Sequence, residues 1–335
     1  MRPAEVASNS TPQTLFNYVL TPSELSEVVA KTPAAISKSF KEREVPLIPL
    51  PGRRVGIPYH SVREYLQRAG ADYSVRSIAH LNLRGGVAKT TASVHLATRA
   101  HQLGHRVVLI DLDSQASATL HFGVRVTENH KVFADIIDTP HKVAEALIEI
   151  QPGLHLLPSS LENGLLDSRL GASPPLQKTA VQAICNELEK LGFTLIVIDC
   201  SPSLSPTVVS VVCGVDQIVI PVGSDIFSLQ GLKLTLEEIE TICETFGLDQ
   251  PEVRILFAKY DGREKLSIES LAELTRHERY SRLLLPCFIR SCAEFSKSAK
   301  KGETLFAKLK KSSGRDDYDM YTRELLGFNR LTSGV

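Results

Sequence analysis

The chain has no excess of charge to work with. Its 335 residues carry 38 Lys and Arg against 38 Asp and Glu. A net field therefore cannot gather nucleic acid, and any such contact has to come from local patches. Cysteines at C-x-x-C spacing are missing: the six, at 185, 200, 213, 243, 287 and 292, sit mostly inside apolar runs. That argues against a thiolate metal site and fits buried thiols acting as small apolar side chains in a reducing compartment. No apolar run reaches the 18 or so residues of a membrane span, and the polar N-terminus lacks a signal-peptide core. The expectation is a soluble, cytoplasmic protein with no membrane partner. Repeats and low-complexity tracts are missing too, and the length is ample for two domains and a sizeable core.

What is present centres on Leu83-Arg84-Gly85-Gly86-Val87-Ala88-Lys89-Thr90-Thr91. An apolar run, Ile78 to Leu83, leads in, and an amphipathic helical pattern, Thr90 to Leu103, leads out. Strand, glycine turn and helix is the context in which amides and a helix N-terminus wrap a phosphate. The candidate nucleotide set is Gly85, Gly86, Val87, Ala88, Lys89, Thr90 and Thr91. Lys89 would reach the β/γ-phosphates of ATP and the Thr90 hydroxyl would ligate Mg²⁺. Ala88 is expected to keep a negative φ, because only glycine takes positive values freely. The ordinary phosphate-loop pattern fails, since Leu83 and Ala88 occupy its glycine positions. The stretch matches a deviant form, in which a basic residue, here Arg84, precedes two glycines and a lysine follows after two intervening residues.

Further motifs follow in order. They are Asp111-Leu112-Asp113-Ser114-Gln115-Ala116-Ser117-Ala118-Thr119 and Leu195-Ile196-Val197-Ile198-Asp199-Cys200-Ser201-Pro202-Ser203-Leu204. Ile220-Pro221-Val222, Leu229-Gln230-Gly231-Leu232 and Tyr260-Asp261-Gly262-Arg263 come after them. Together with the loop they resemble the ParA/MinD group of ATPases over residues 77–330, with Ser114 where that group usually has proline. The first of these stretches looks like the group's switch segment, the second like its Walker B strand.

The resemblance implies roles. Asp113 positions the attacking water, Asp111 supports the metal and nucleotide site, and Asp199 holds Mg²⁺ through a water; Asp199 also reads as a cap for the next turn. Catalysis would rest on Arg84, Lys89 and Asp113. Arg84 stands where the group has a signature lysine that crosses a homodimer interface to the partner's nucleotide, although it equally answers a carboxylate beside the loop.

Apolar runs alternate with helical patterns from residue 77 onward. Strands are expected at 77–83, 106–112, 154–157, 193–199, 216–222, 252–258 and 284–289, with helices at 90–103, 176–191, 205–213, 228–246 and 267–277. Short strands that are apolar throughout are buried on both faces, and intervening helices imply right-handed parallel crossovers. The fold class is α/β: a doubly wound, mostly parallel sheet with helices on both faces and its ligand at the carboxyl ends of the strands.

Residues 1–20 are polar and read as a flexible tail. From Thr21 two helix starts follow closely, at Thr21-Pro22 and Thr32-Pro33, with Glu24 completing a capping box. Helices at 22–30 and 33–43, a hairpin around Pro51-Gly52-Arg53-Arg54 and a helix at 61–69 make a small winged helix-turn-helix over 21–73, and 71–74 is the linker to an ATPase domain at 74–335. Ser37, Lys38 and Lys41 would enter a major groove, with Arg53 and Arg54 on phosphates. The same segment also reads as a dimerisation module.

A second basic stretch holds Lys297, Lys300, Lys301, Lys308, Lys310 and Lys311, with Arg290 before it and Arg315 after it. It reads either as a solvated face or, by the resemblance, as a non-specific DNA contact. The leading functional expectation is a nucleoid-associated partition ATPase. It would form ATP-dependent dimers on DNA, respond to a centromere-binding ParB-type protein and repress its own operon. A MinD-like membrane-positioning ATPase, an iron–sulfur electron donor and a nucleotide-switched repressor are the alternatives. The tail from Tyr318 to Leu331 lacks the clean apolar face that the first of these needs.

Overall fold

The computed structural model describes residues 18–331. Two short strands, β1 (Ile48–Leu50) and β2 (Arg54–Gly56), pair antiparallel near the N-terminus. Eight more form the central sheet: β3 (Arg76–His80), β4 (Val107–Asp111), β5 (Ile148–Gln151), β6 (Leu154–Leu157), β7 (Leu195–Asp199), β8 (Gln217–Val222), β9 (Glu252–Tyr260) and β10 (Leu284–Arg290). Their order is β10-β9-β8-β3-β7-β4-β6-β5. Pairing is parallel except at the β5–β6 edge. The seven expected strands are all there; β5 is an addition.

The strand residues sort by parity into two apolar clusters. Ile78, Leu109, Val197 and Val219 face the cluster that contains the helix α4 (Lys89–Gln102). Ala79, Val108, Ile198 and Ile220 face the other, built with helices Pro174–Lys190, Pro206–Gly214 and Ile226–Phe246. Burial on both faces is why these strands read as unbroken apolar runs rather than as alternating ones.

Before the sheet come α1 (Pro22–Val29), α2 (Pro33–Glu42) and α3 (Tyr59–Arg68), with the β1–β2 hairpin between the last two. Thr21 and Glu24 close the expected capping box, and Ile36 and Phe40 are the buried face of α2. Two expectations are corrected. Residues 1–17 of the expected tail lie outside the described residues, but Tyr18, Val19 and Leu20 are core, and Leu20 bridges to Ile57. Tyr73, expected in a linker, is buried, and its hydroxyl donates to the Leu103 carbonyl at 2.6 Å.

The N-terminal helices share one apolar cluster with α4 and the C-terminal helix Ser313–Leu325: Leu25, Val28 and Leu66 pack in the same body as Leu96, Leu103 and Tyr318. At the end of α4, Gly104 has φ +93°, and a Cβ there would lie 2.7 Å from the Arg63 backbone. Only glycine meets both demands. Helix Ser313–Leu325 buries Tyr318, Tyr321 and Leu325, so the C-terminal stretch does have a packing face, built on two tyrosines as well as leucine. Arg315, expected to face DNA, is instead buried on Glu24, over the Phe306 ring. Among the described residues no helix is long and apolar enough to cross a membrane.

Candidate nucleotide-binding site

The loop from β3 to α4 lies at the carboxyl edge of the sheet, with β3 flanked by β7 and β8. Both Gly86 (φ +76°) and Ala88 (φ +74°) are left-handed. The negative φ expected of Ala88 is therefore wrong: the chain takes a left-handed step to turn its amides inward just before α4, and an alanine Cβ sits in that step. Such a conformation costs a non-glycine residue about 1–2 kcal/mol. Ala88→Gly should raise stability by up to about 1 kcal/mol, the relief being partly offset by a looser unfolded chain. A lower urea midpoint in that variant would show that the Ala88 methyl packs better than it strains.

Lys89 is buried, and its ammonium donates to the carbonyls of Asn82 (2.9 Å) and Arg84 (2.7 Å). Burial pulls its pKa down, against the opposing pull of Asp199, Cys200 and Asp113. Asn82 braces the loop: its amide donates to Pro221, and its oxygen accepts from the Arg84 amide at 2.9 Å. Gly231, in the long helix Ile226–Phe246, lets that helix close on the loop, since a Cβ would stand 3.2 Å from the Arg84 Cβ. The Arg84 guanidinium reaches Asp225 at 3.0 Å, so a carboxylate beside the loop does answer it.

Strand register sets His80, Asp199 and Asp111 side by side on β3, β7 and β4. Asp199 is fully buried; Ser93 donates to its Oδ1 at 3.0 Å and its Oδ2 has no partner. Burial raises its pKa, Asp111 adds to the rise, and the nearby hydroxyls of Thr90 and Ser93 oppose it. An orphaned carboxylate oxygen beside the Thr90 hydroxyl fits a divalent cation. His80 is held neutral, its pKa lowered by burial to about 3, between Ser93 (3.0 Å) and the Tyr321 hydroxyl (2.8 Å).

Strand β4 stops at Asp111, so strand alternation no longer ties Asp113 to the side that Asp111 takes. The Asp111 carboxylate accepts from the Thr119 amide (2.8 Å) and hydroxyl (2.7 Å) and from the Asp113 amide (3.2 Å). It clasps the switch segment while standing in register beside Asp199. Asp113 goes the other way and lines a cleft of about 510 Å³ with Gly85, Gly86, Ala88, Lys89, Thr90 and Thr91. Val87 is buried beneath the loop. Lys259, at the end of β9, lines the same cleft. Sequence reading missed it together with Asn82, Ser93 and Thr119. For Thr119 a signal existed, as it closes the quoted switch stretch.

Of the expected DNA contacts, Ser37, Lys38, Lys41, Arg53 and Arg54 are exposed, as are Lys297, Lys300, Lys308, Lys310 and Lys311. Lys308 pairs with Glu303, and Lys311 with Glu27 at 3.4 Å. Arg290 is a weaker candidate than its sequence position implied, because its guanidinium forks onto Asp317 through Nε (2.9 Å) and Nη2 (2.6 Å). Ser37, Arg53, Arg54 and Lys311 line one groove between the N-terminal helices and the C-terminal segment.

Residues 75–253 match the family model described as AAA domain. The chromosome-partitioning ATPase Soj of Thermus thermophilus is 35% identical over 209 residues, 61% of this chain and 77% of Soj. The cell division protein PomZ of Myxococcus xanthus is 29% identical over 257 residues, 76% of this chain and 79% of PomZ. Among solved structures, apo McdA from Cyanothece superposes with a TM-score of 0.67 at 19% identity, covering 76% of this chain and 100% of that one. That last likeness speaks for the fold alone. The family match spans the phosphate loop, Asp113 and Asp199, and with the Soj relationship it places this chain in the AAA-domain family, among the ParA/MinD-type ATPases.

Proposed function

We propose that the protein is a DNA-partitioning ATPase, which binds ATP with Mg²⁺, dimerises around it and releases DNA when a partner protein stimulates hydrolysis. The observation that carries the nucleotide part is a buried lysine bonded only to loop carbonyls, beside a buried carboxylate oxygen with no partner. The first has no anion in hydrogen-bond contact, the second no cation, and a Mg²⁺-bound polyphosphate supplies both. Thr90 and Asp199 would hold the metal, which neutralises charge developing on the phosphates. Asp113 would orient the attacking water, and Arg84 would leave Asp225 to reach the partner's nucleotide. Phosphoryl transfer depends chiefly on such positioning and charge stabilisation. ATP turnover measured with and without DNA, and with the product of the neighbouring gene, tests the reading; turnover indifferent to both would sink it.

The DNA part rests on the groove between the N-terminal helices and the C-terminal segment. The sequence pointed to two separable modes, one on the helix-turn-helix and one on the lysine run. The shared groove favours a single basic surface for one duplex. Arg53→Ala with Arg54→Ala, and Lys310→Ala with Lys311→Ala, should then weaken binding to the same duplex. Each pair should lower the salt dependence by about 0.9 for every phosphate it no longer neutralises. Variants that separate operator binding from non-specific binding would restore the two-mode reading.

A further inference from the structure

Six non-glycine residues among those described have positive φ; two of them, Ala88 and Lys259, line the nucleotide cleft, and a third, Ala116, immediately precedes Ser117, which lines it too. Such strain persists only where surrounding structure enforces it, and it gathers at functional sites. For Ala88 the loop accounts for it, and for Ala116 the turn into the switch helix does. Lys259 needs its own explanation. It sits at φ +60°, one residue before the end of β9. Ser291, just beyond β10, donates its hydroxyl to the Lys259 carbonyl (3.3 Å) and its amide to the Tyr260 carbonyl (2.8 Å). The neighbouring strand thus holds the backbone in this conformation. The side chain is thereby turned onto the phosphate loop, where its ammonium donates to the Gly86 carbonyl at 2.5 Å.

We propose that Lys259 is a further phosphate-binding residue of the cleft, a mobile cation that rests on Gly86 when the loop is empty and moves to the polyphosphate when it is filled. This rests on the nucleotide reading given above. Lys89 approaches the loop from its buried side, through the Asn82 and Arg84 carbonyls. Lys259 comes from the exposed rim across β8, so the two ammoniums enclose the loop from opposite sides. The resting bond is to a neutral carbonyl, whereas a phosphate oxygen carries charge and adds ion-pair attraction to the hydrogen bond. Release of the Gly86 carbonyl would accompany the transfer, which makes the loop's own geometry responsive to occupancy.

The test is binding of ATP, ADP and AMP, each with Mg²⁺, to the full chain by calorimetry, with Lys259→Met, Lys259→Arg and Lys259→Gly. Lys259→Met should weaken ATP and ADP about tenfold or more, the scale of one charged hydrogen bond, and leave AMP within about twofold. Lys259→Arg should retain most of the affinity. Lys259→Gly loses the ammonium but relieves the backbone, so it should repeat the Met result while melting no lower than the wild type when empty. That excludes a folding defect as the cause. ATP and ADP binding unchanged in Lys259→Met would overturn the proposal and leave the nucleotide reading standing, as would an equal loss for AMP. A wild-type chain that binds no nucleotide would overturn both.

Discussion

Lys89→Met should remove nucleotide binding without loosening the fold. Lys89 is 6% exposed, and its ammonium makes its two hydrogen bonds to main-chain carbonyls. Taking an ammonium out of water is costly unless a counter-charge meets it. In the empty protein that cost is only partly met, which is what the lowered pKa records: burial is the leading cause, and Asp199, Cys200 and Asp113 oppose it. Polyphosphate supplies the missing charge. Methionine keeps the length and apolar stem of the side chain and removes the charge, so more than about 3 kcal/mol of ATP binding should vanish, over a hundredfold in affinity. The empty variant should melt at or above the wild type. The sign of the pH effect follows from linkage. With the folded pKa below the ordinary value of 10.5, the unfolded chain binds more protons between the two values, so wild-type stability rises with pH across that window. Lys89→Met should lack that rise. A variant that binds ATP normally, or melts well below the wild type when empty, would contradict the assignment.

Much of this architecture was legible because it depends on local patterns. The apolar strands, the glycine turn before α4, the capping box at Thr21 and the inward pair Ile36 and Phe40 are each short-range statements. What escaped depends on distant partners or on backbone geometry. Strand β5 has only four residues, half exposed on an edge, although the Pro152-Gly153 turn after it was a usable sign. Helix Ser313–Leu325 hides its packing face because tyrosine, threonine and arginine count as polar in a periodicity search. Lys259 looked like an ordinary lysine at a strand end, since nothing in sequence announces a left-handed residue that is not glycine. The separate paths of Asp111 and Asp113 were not legible either, because alternation holds only while a strand continues, and β4 ends on the first of them. Lys311, at the end of the lysine run, and the hairpin arginines lie roughly 250 residues apart, so only the folded chain sets them around one groove.

The same long-range logic governs how the N-terminal helices are fixed, and it gives the largest expected stability effect. Glu24, 8% exposed, receives Arg315, with Arg99 of α4 at 3.7 Å, and Arg99 in turn pairs with Asp319 at 2.5 Å. Burial alone would raise the Glu24 pKa; the charges of Arg99 and Arg315 outweigh it and leave the carboxyl below its ordinary range. Glu24→Gln keeps the shape and a capping partner for Thr21 but strands buried arginine charge. Breaking such a buried set from one side typically costs about 3–5 kcal/mol. Glu27→Gln is the control, since its pair with Lys311 is exposed and worth about 1 kcal/mol at most. Because the folded pKa of Glu24 is depressed, its contribution is complete above the unfolded carboxylate value and is lost as pH falls through the folded one. The wild-type advantage over Glu24→Gln should therefore be full near neutrality and disappear in acid. Urea unfolding across that pH range, with proteolysis of the N-terminal segment as a second readout, decides the point. If Glu24→Gln unfolds like Glu27→Gln at neutral pH, the apolar cluster alone holds these helices to α4, and the ionic set sets their orientation without strengthening their attachment.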